Sequence, residues 1–364
     1  MTTMHASPVG SVADLEREAF EALLARVGEG ADRLDADEAG QARQVLTWLA
    51  EAGAGDLGAP GNADGGLPAM AEVVSALAAH CVSSAFTTWA HRMCLEYLLM
   101  SGTPYALAQG ERLRSGTVPG VTGMASAFRE LAGCGSLEIT ATATEDGYEL
   151  SGPIRWASNL YDDAVLVTAA RADSGDRIVV ALPLDSEGIS VGSPFPLLAL
   201  GSTASSHLTL KDVKVPHEQV LTRDFEGFLA AVRGTFLTLQ TALCVGLAGT
   251  CLDNARSSLT GVNMVFAGDV DRAAGRLCVA RTAMRDVARR VGSGNPAGRM
   301  EMLSMRLAAA EVATEAATLE AKTAGGRGYA RTSGASRRFR ESFFIPVQSP
   351  SEAQLKWELA QCRP

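Results

Sequence analysis

The stretch at residues 150–159, with the sequence LSGPIRWASN, decides how the rest of this chain is interpreted. Its pattern predicts a short strand, a Gly-Pro bend and a second strand that carries Trp156 and ends at Ser158 and Asn159. An indole beside a small hydroxyl suits a flat aromatic cofactor, because the indole covers one ring face while polar groups meet the ring edge. The same residues also fit a tryptophan buried in the core of a β domain, since tryptophan is usually a packing residue.

The composition is that of a soluble, folded protein. The 364 residues are 47% hydrophobic and 20% charged, with a mean hydropathy of +0.09, and the length allows more than one structural unit. The net charge of −9 argues against nucleic acid as a partner, because phosphate binding needs a basic surface. Arginines cluster late in the chain, where we expect a solvated face or an oligomer contact rather than a phosphate site. These residues are Arg327, Arg331, Arg337, Arg338 and Arg340.

The cysteines and the N-terminus indicate a cytoplasmic protein. The seven cysteines are scattered and form no CxxC pair and no metal-ligand spacing, so we expect reduced packing residues and no metal. The opening MTTMHASPVG lacks a basic segment followed by an apolar one, and no uninterrupted apolar run is long enough to cross a bilayer. The chain is therefore predicted to have neither a secretion signal nor a membrane partner.

Hydrophobic periodicity changes twice along the chain. Helical spacing is found at residues 14–27, 36–52, 67–81, 84–100, 234–259, 269–291, 300–324 and 351–361. Alternation typical of strands is found at residues 137–143, 148–150, 163–171, 177–183, 207–210 and 213–216. We expect Gly325 to end the helix before it, as a glycine C-cap does. The pattern predicts an α+β fold with a helical domain at 1–115, a β domain at 116–224 and a helical bundle at 225–364.

Four motifs in this order resemble those of the acyl-CoA dehydrogenase superfamily. They are GPIRWASN at 152–159, LTLKDVKVPHEQVL at 208–221, GLAGTCLDNA at 246–255 and GGRGYARTSGASRRFRE at 325–341. The resemblance covers roughly residues 71–359. It implies an N-terminal helical domain, a middle β-barrel or sandwich and a C-terminal helical bundle, assembled as a homodimer or homotetramer. The long apolar helix predicted at 234–259 also favours an oligomer.

The resemblance also implies a flavin cofactor, FAD in the first place, with FMN or externally supplied reduced flavin as alternatives. In that family the tryptophan and the following small hydroxyl lie against the isoalloxazine ring, which implies this role for Trp156, Ala157 and Ser158. The glycines near the flavin's phosphate-bearing tail correspond to Gly325, Gly326 and Gly328. Glycine lets the backbone approach a cofactor closely, so the comparison has a physical basis.

Two departures from the family pattern concern the cofactor. A TEP-like segment that contacts the flavin is replaced by GVTGMASAFRELAG at 120–133, where Thr122, Met124, Ala125 and Ser126 remain candidates to line the ring and phosphate. The Arg-x-x-Phe-Gly element that reaches the neighbouring subunit's flavin is missing after Ala255, where the sequence continues RSSLTGVN.

A third departure concerns the catalytic base. Family members that dehydrogenate an acyl thioester use a glutamate to take the α-proton, and such a base has to lie within hydrogen-bonding reach. The matching turn here reads FIPVQSPSEAQLKWEL, which puts Gln348 or Ser349 at the expected position. The family's alternative position falls near Phe236. Glu352 is the nearest acid, and it also fits a first-turn helix acid favoured by the helix dipole.

Three interpretations therefore remain open. In the first, Glu352 replaces the base and the protein dehydrogenates an acyl thioester or a related carbonyl substrate, carried by CoA or an acyl carrier protein. In the second, no base is needed, and reduced flavin with oxygen hydroxylates a small aromatic or amine substrate that Gln348, Ser349 and Ser158 orient. In the third, the chain is a flavin-poor binding or partner subunit. The preserved Trp156, Ser158 and Gly325-Gly326 pair favour the first two.

Overall fold

The computed structural model describes residues 17–36, 41–60 and 66–362. The predicted start of the first helix at residue 14 lies outside these residues, as does part of the predicted second helix, at 37–40. Helices, strands and helices follow each other in the order that the sequence predicted.

The first part of the chain is helical. Its helices are α1 Arg17–Asp35, α2 Gln44–Glu51, α3 Leu67–His80, α4 Val82–Ser101 and α5 Pro104–Arg114. Helix α4 is buried along nearly its whole length, so it forms the centre of this region rather than its surface. It ends at Gly102, whose φ of 66° is in the left-handed region, and Thr103 then caps α5 by accepting from the Ala106 amide. Helix α5 was not predicted.

The middle part is a single sheet. Its strands are β1 Gly120–Gly123, β2 Thr140–Ala143, β3 Gly147–Ala157, β4 Val165–Ala172, β5 Arg177–Pro183, β6 Ile189–Val191, β7 Ser206–Pro216 and β8 Val220–Thr222. They follow the spatial order β6-β7-β3-β2-β4-β5-β8, and β1 pairs with β4 in parallel. A short helix, α6 Ala125–Leu131, follows β1 and was not predicted.

Residues 150–157 of the LSGPIRWASN stretch lie in one continuous strand, β3, so the predicted Gly-Pro bend is wrong. The pairing of β3 with β7 shifts its register between Leu150 and Gly152, which is a bulge within the strand. Gly152 has a φ of 144°, and a Cβ at this position would lie 2.3 Å from the carbonyl oxygen of Glu138. The glycine therefore allows the neighbouring backbone to approach while the strand continues toward Trp156.

The last part is a helical bundle. Its helices are α7 Phe225–Ser257, α8 Ala267–Arg290, α9 Arg299–Ala324, α10 Gly326–Tyr329, α11 Gly334–Ser342 and α12 Glu352–Gln361. Gly325 ends α9 with a φ of 60°, as predicted. Helix α11 was not predicted, because its sequence GASRRFRES offers too few apolar positions to show helical spacing.

By length and composition alone, helix α7 is long and apolar enough to span a membrane, although charged residues interrupt its apolar sequence. In this structure 89% of its most apolar window is buried inside the protein. It packs against α3, α4, α8 and α9. Its composition is therefore that of a core helix.

One apolar core joins both helical parts to one face of the sheet. It includes Leu95 of α4, Leu239 of α7, Ala313 of α9 and Val167 of β4, while a second cluster lies on the other face of the sheet. The end of β3, α4, α7 and the turn before α12 meet at the edge of this core. The candidate site is found there.

Candidate functional site

A cleft of about 310 Å³ opens where these four elements meet. Its lining consists mainly of aromatic and small side chains, which is typical of a site for a small organic molecule. The lining residues are Phe86, Trp89, Ala90, Thr122, Ala125, Trp156, Ala157, Ser158, Phe236, Phe344, Val347, Gln348 and Ser349. Most of the predicted β-domain residues are thus brought into one cavity with Gln348 and Ser349 of the turn before α12.

Trp156 forms one wall of the cleft. Its side chain is 51% exposed, and its ring contacts that of Phe195 at a centroid distance of 4.3 Å. The interpretation of Trp156 as a buried core tryptophan is therefore wrong. Because one face is braced by Phe195 and the residue lines the cleft, the indole offers a supported flat surface to a ligand.

Ser158 is the first member of a buried chain of hydroxyls. Its Oγ lies 2.6 Å from Ser205 Oγ, which lies 2.7 Å from Thr203 Oγ1. Thr203 donates to the carbonyl of Leu200, so its single proton is used there. Ser205 must then donate to Thr203, and Ser158 must donate to Ser205. The lone pairs of Ser158 Oγ are left as acceptors toward the cleft.

The end of β3 is tied to the other walls by one side chain. Asn159 has a φ of 63°, and its Nδ2 donates to the carbonyls of Thr87 on α4 and Gly120 on β1, at 3.0 and 3.1 Å. His91 adds a second link, because its Nδ1 accepts from the Gly120 amide at 3.1 Å. Burial first, and then the nearby Arg92 cation, lower the pKa of His91 to about 4, so the imidazole is neutral at pH 7. These contacts fix Trp156 and Ser158 relative to the helices.

Only two of the four residues predicted from the GVTGMASAFRELAG segment lie in the cleft. Thr122 and Ala125 line the cleft, and Thr122 Oγ1 lies 3.3 Å from the hydroxyl of the buried Tyr97. Met124 is fully buried beneath the surface, and Ser126 is half-buried. Neither of these two belongs to the lining of the cleft.

The turn before α12 places Gln348 and Ser349 in the cleft without a carboxylate. The Gln348 side chain is 4% exposed, and its Oε1 accepts from Arg306 Nη2 at 3.2 Å. The Ser349 carbonyl accepts from Gln240 Nε2 at 2.7 Å, and Gln240 Oε1 accepts from Arg306 Nε at 3.3 Å. Gln348 Nε2 and Ser349 Oγ are buried and have no hydrogen-bond partner within the described chain.

Glu352 is not among the residues that line the cleft. Its carboxylate lies 3.4 Å from Lys356 Nζ, one helical turn further along α12, and its side chain is 25% exposed. Phe236, at the alternative position for a base, does line the cleft. Across the described residues, no acidic side chain contributes to the cleft lining. The site is thus aromatic with a neutral polar edge.

The three predicted glycines lie elsewhere. Gly325 and Gly326 are exposed, Gly328 packs against Ala324 at the end of α9, and none of them lines the cleft. The role of the glycines at a cofactor tail stays a prediction.

Within 17–36, 41–60 and 66–362, no group of three or more His, Cys, Asp and Glu side chains is placed to hold a metal ion.

Sequence reasoning missed the aromatic wall and the residues behind the turn. Phe86 and Trp89 belong to a helix whose side chains look like ordinary core residues, and Phe344 lies between two short helices. Arg306 had a detectable signal, because it is a cation within an otherwise Ala- and Leu-rich stretch, MRLAAAEV. A charge on the buried face of a helix usually serves a specific partner.

Known proteins of similar sequence include acyl-CoA dehydrogenases. No protein-family profile matches the chain. It is 28% identical over 238 residues to a probable acyl-CoA dehydrogenase, YngJ, of Bacillus subtilis, over 60% of this chain and 62% of that protein. It is 25% identical over 245 residues to the mitochondrial short-chain specific acyl-CoA dehydrogenase of Bos taurus, over 60% of this chain and 57% of that protein. The matched region thus spans less than two thirds of each relative's length.

Solved structures share the whole fold. Butyryl-CoA dehydrogenase from Megasphaera elsdenii superimposes with a TM-score of 0.82 at 18% identity, over 99% of both chains. This chain shares the fold of the acyl-CoA dehydrogenase superfamily and is similar in sequence to acyl-CoA dehydrogenases. Within the superfamily fold, a structure of PigA with FAD and proline gives a TM-score of 0.79 at 16% identity, over 99% of both chains. A structure of KijD3 with FMN and a dTDP-linked amino sugar gives 0.79 at 18% identity, over 94% of this chain and 91% of that one.

The cleft residues fit the flavin that the superfamily implies. A braced, half-exposed indole, an acceptor at Ser158 and apolar walls match a flat ring with polar edges. Gln348 and Ser349, which line the cleft, each carry a buried polar atom with no hydrogen-bond partner among the described residues. Trp156, Ala157, Ser158 and Thr122 are the residues that would hold the ring.

Proposed function

We propose that this chain is a flavin-dependent oxidoreductase that carries out a two-electron oxidation of a small, largely apolar substrate. The observation that carries the proposal is the cleft itself, with Trp156 half-exposed on one wall and aromatic side chains of α4 and α7 opposite. A bound flavin supplies the acceptor for two electrons. FAD is the cofactor that we propose first, and FMN is the alternative.

The residues of the chain perform the remaining tasks. Phe86, Trp89 and Phe236 hold the apolar body of the substrate and exclude water. Gln348 and Ser349 offer donors to its polar group. Ser158 offers an acceptor to the cofactor edge, since its own proton is used by Ser205.

Dehydrogenation of an acyl thioester or a related carbonyl compound is the first candidate reaction. The names of YngJ and of the Bos taurus relative support it. Such a reaction needs a group that accepts the α-proton within hydrogen-bonding reach. Glu352 fills this role only if the turn at 345–351 moves, because its carboxylate now pairs with Lys356 outside the cleft lining. CoA or an acyl carrier protein is then the proposed carrier.

Oxygenation is the second candidate, and the neutral lining favours it. Hydroxylation of a small aromatic or amine substrate with reduced flavin and oxygen does not require a carboxylate in the cleft. The aromatic walls suit such a substrate. A third possibility, a flavin-poor binding subunit, is tested by the same experiment.

The deciding experiment begins with purified chain and added FAD or FMN. Uptake of flavin with a perturbed visible spectrum supports an oxidoreductase, whereas failure to bind either flavin overturns the proposal. Anaerobic bleaching by short acyl-CoA thioesters identifies a dehydrogenase. Incorporation of oxygen-18 from O₂ into an aromatic or amine product, with externally reduced flavin, identifies an oxygenase.

Glu352→Gln separates the two candidates further. If Glu352 is the base, the variant still binds flavin but loses thioester-driven bleaching by a factor on the order of 10² or more. If activity is unchanged, Glu352 has no part in the mechanism. The exposed pair with Lys356 contributes only about 0.5 kcal/mol to stability, so a folding defect will not obscure the result.

A further inference from the structure

We propose that Gln348 and Ser349, with the buried cation of Arg306 behind them, form a receptor for a negatively polarised oxygen of the substrate. A carbonyl or a carboxylate oxygen has this chemistry. This proposal rests on the proposed function in one respect, because it takes the cleft as the substrate site. It adds the class of substrate, which the fold alone does not identify.

The orientation of Gln348 follows from its partner. Arg306 has only donors, so the oxygen of the Gln348 amide has to face the guanidinium, which lies 3.2 Å away. The amide nitrogen then points away from Arg306. In the described chain this Nε2 has no acceptor, although it is buried and belongs to a residue that lines the cleft. Gln348 is therefore fixed as a donor.

Ser349 is held by the same network. Gln240 accepts from Arg306 Nε through its Oε1, which turns its own Nε2 toward the Ser349 carbonyl at 2.7 Å. The backbone of the turn is thus anchored, and the Ser349 hydroxyl remains buried with no partner among the described residues. Two consecutive residues at the cleft each present an unsatisfied polar group. A ligand oxygen that accepts from both removes the cost of leaving them unpaired.

The charge of Arg306 determines which oxygen is favoured. Arg306 is fully buried, and its partners are the amide oxygens of Gln240 and Gln348, the sulfur of Cys244 and the carbonyl of Ile345. No carboxylate of the described residues pairs with it. Burial raises the pKa of the Cys244 thiol, so the sulfur does not supply a counter-charge. The Glu352 carboxylate is close enough to act on the same thiol, but it forms no ion pair with Arg306, so the buried cation still favours a negatively polarised group nearby.

The receptor discriminates by chemistry rather than by size. A substrate with a carbonyl or carboxylate oxygen satisfies the donors, whereas a hydrocarbon of the same shape leaves them unpaired. Phe86, Trp89 and Phe236 hold an aromatic or branched apolar body equally well in either case. Three ligands with the same ring therefore test the idea, namely benzoate, acetophenone and toluene.

The experiment titrates each ligand into the full chain and follows the fluorescence of the tryptophans, two of which line the cleft. We expect benzoate to bind more tightly than acetophenone, and acetophenone more tightly than toluene. Gln348→Met and Ser349→Ala each weaken benzoate and acetophenone binding roughly ten-fold, as loss of a hydrogen bond to a polarised oxygen does. Toluene binding changes by less than about two-fold.

Matched controls use residues away from the cleft. Gln361→Met and Ser304→Ala make the same chemical changes at exposed positions and leave all three affinities unchanged. Arg306→Met removes the preference for benzoate over acetophenone, while Arg306→Lys keeps it. Thermal unfolding shows whether each variant is folded. If Arg306→Met does not fold, the comparison of Arg306→Lys with the wild type still tests the role of the charge.

Two results overturn the receptor: toluene binding as tightly as benzoate, or wild-type benzoate affinity in both Gln348→Met and Ser349→Ala. Titrations with and without FAD separate this inference from the proposed function. If the chain binds no flavin but discriminates among the three ligands, the receptor is supported and the proposed oxidoreductase function is refuted. If the chain binds flavin but does not discriminate among the ligands, the oxidoreductase function is supported and the receptor is refuted.

Discussion

At the scale of single residues, Trp156 carries most of the case for a cofactor. It is half-exposed, whereas Phe86, Trp89 and Phe236 of the same cleft are packed into the core. An exposed indole costs free energy in water, so a residue held in this position by Phe195 suits a ligand that covers it.

The first prediction compares two tryptophans of equal exposure. Trp156 and Trp357 are both 51% exposed, but only Trp156 lines the cleft. Trp156→Ala should weaken flavin binding by about ten-fold or more, because both stacking and buried area are lost. Trp357→Ala should leave it unchanged. The check is the flavin dissociation constant from fluorescence titration. Equal constants for the two variants would remove Trp156 from the cofactor site.

The second prediction concerns pH and His91. Its folded pKa of about 4 is below the ordinary value of 6.5, because the buried ring stays neutral. The neutral form stabilises the fold fully above the unfolded pKa, and this contribution is lost as the pH falls from 6.5 toward 4. The expected loss is about 2 kcal/mol by pH 5 and about 3 kcal/mol by pH 4.

His91→Gln keeps an acceptor for the Gly120 amide but does not titrate. Urea unfolding at pH 7, 5 and 4 should therefore show a smaller acid loss in this variant than in the wild type. Other acid-sensitive groups are present in both proteins and cancel in the comparison. Parallel losses in the two proteins would show that His91 is not protonated on unfolding.

At the scale of elements, strand β3 presents Trp156 and needs its bulge to do so. The third prediction is that Gly152→Ala costs about 3 kcal/mol or more, since both backbone strain and a collision with Glu138 are introduced. Gly175→Ala is the matched control, because Gly175 also has a positive φ, of 89°, but has nothing near its missing Cβ. It should cost about 1 kcal/mol. Equal costs, measured by chemical unfolding, would mean that the close approach is unimportant.

The sequence predicted an element correctly where both the hydrophobic period and the length of the segment indicated the same structure. It failed where tertiary contacts determined the local structure. Helix α9 was found almost to the residue, because Ala, Leu and Glu dominate it and Gly325 ends it. The bulge at Gly152 was mistaken for a bend, since Gly-Pro predicts a turn and only the pairing with β7 keeps the strand straight.

The residues of the candidate site also fall into two groups, those that the sequence identified and those that it did not. Trp156, Ser158, Gln348 and Ser349 were identified because family motifs mark their positions. Phe86 and Trp89 were not, because the side chains that line an apolar cleft have the same spacing as those that fill a core. Arg306 belongs to the site only through contacts between α9 and a turn that is 39 residues further along the chain. Sequence spacing does not reveal such contacts.

At the scale of the whole molecule, apolar side chains remain exposed on helices α8 and α9 and on the short helical turn at 261–266 before α8. They are Val279 on α8, Met300 on α9, and Val262, Met264 and Val265 on the turn. A groove of about 630 Å³ between the two helices is lined by Val279, Ala283 and Met305. An exposed apolar surface of this kind suits a second copy of the same chain, because symmetric association of identical subunits buries such a surface on both of them. A homodimer or homotetramer is our proposal.

The fourth prediction tests this assembly and its relation to the cofactor. Val279→Glu puts a charge into the groove, where a partner would desolvate it, so the assembly should shift toward the 38.0 kDa monomer. Leu107→Glu changes an equally apolar residue on α5, which is 45% exposed, and should leave the mass unchanged. Light scattering after size-exclusion chromatography measures both.

The flavin affinities of the two variants then show whether the cofactor site is formed by one chain or needs a second copy. Gly325, Gly326 and Gly328 lie outside the cleft of their own chain, so a cofactor tail that contacts them has to leave that cleft. If a second copy supplies these contacts, the monomeric Val279→Glu variant should bind FAD roughly ten-fold more weakly, while FMN, which lacks the adenylate half, should bind as before. A monomer that binds both flavins like the wild type would show that the tail is held within one chain. A Val279→Glu variant of wild-type mass would show that this groove is not the interface.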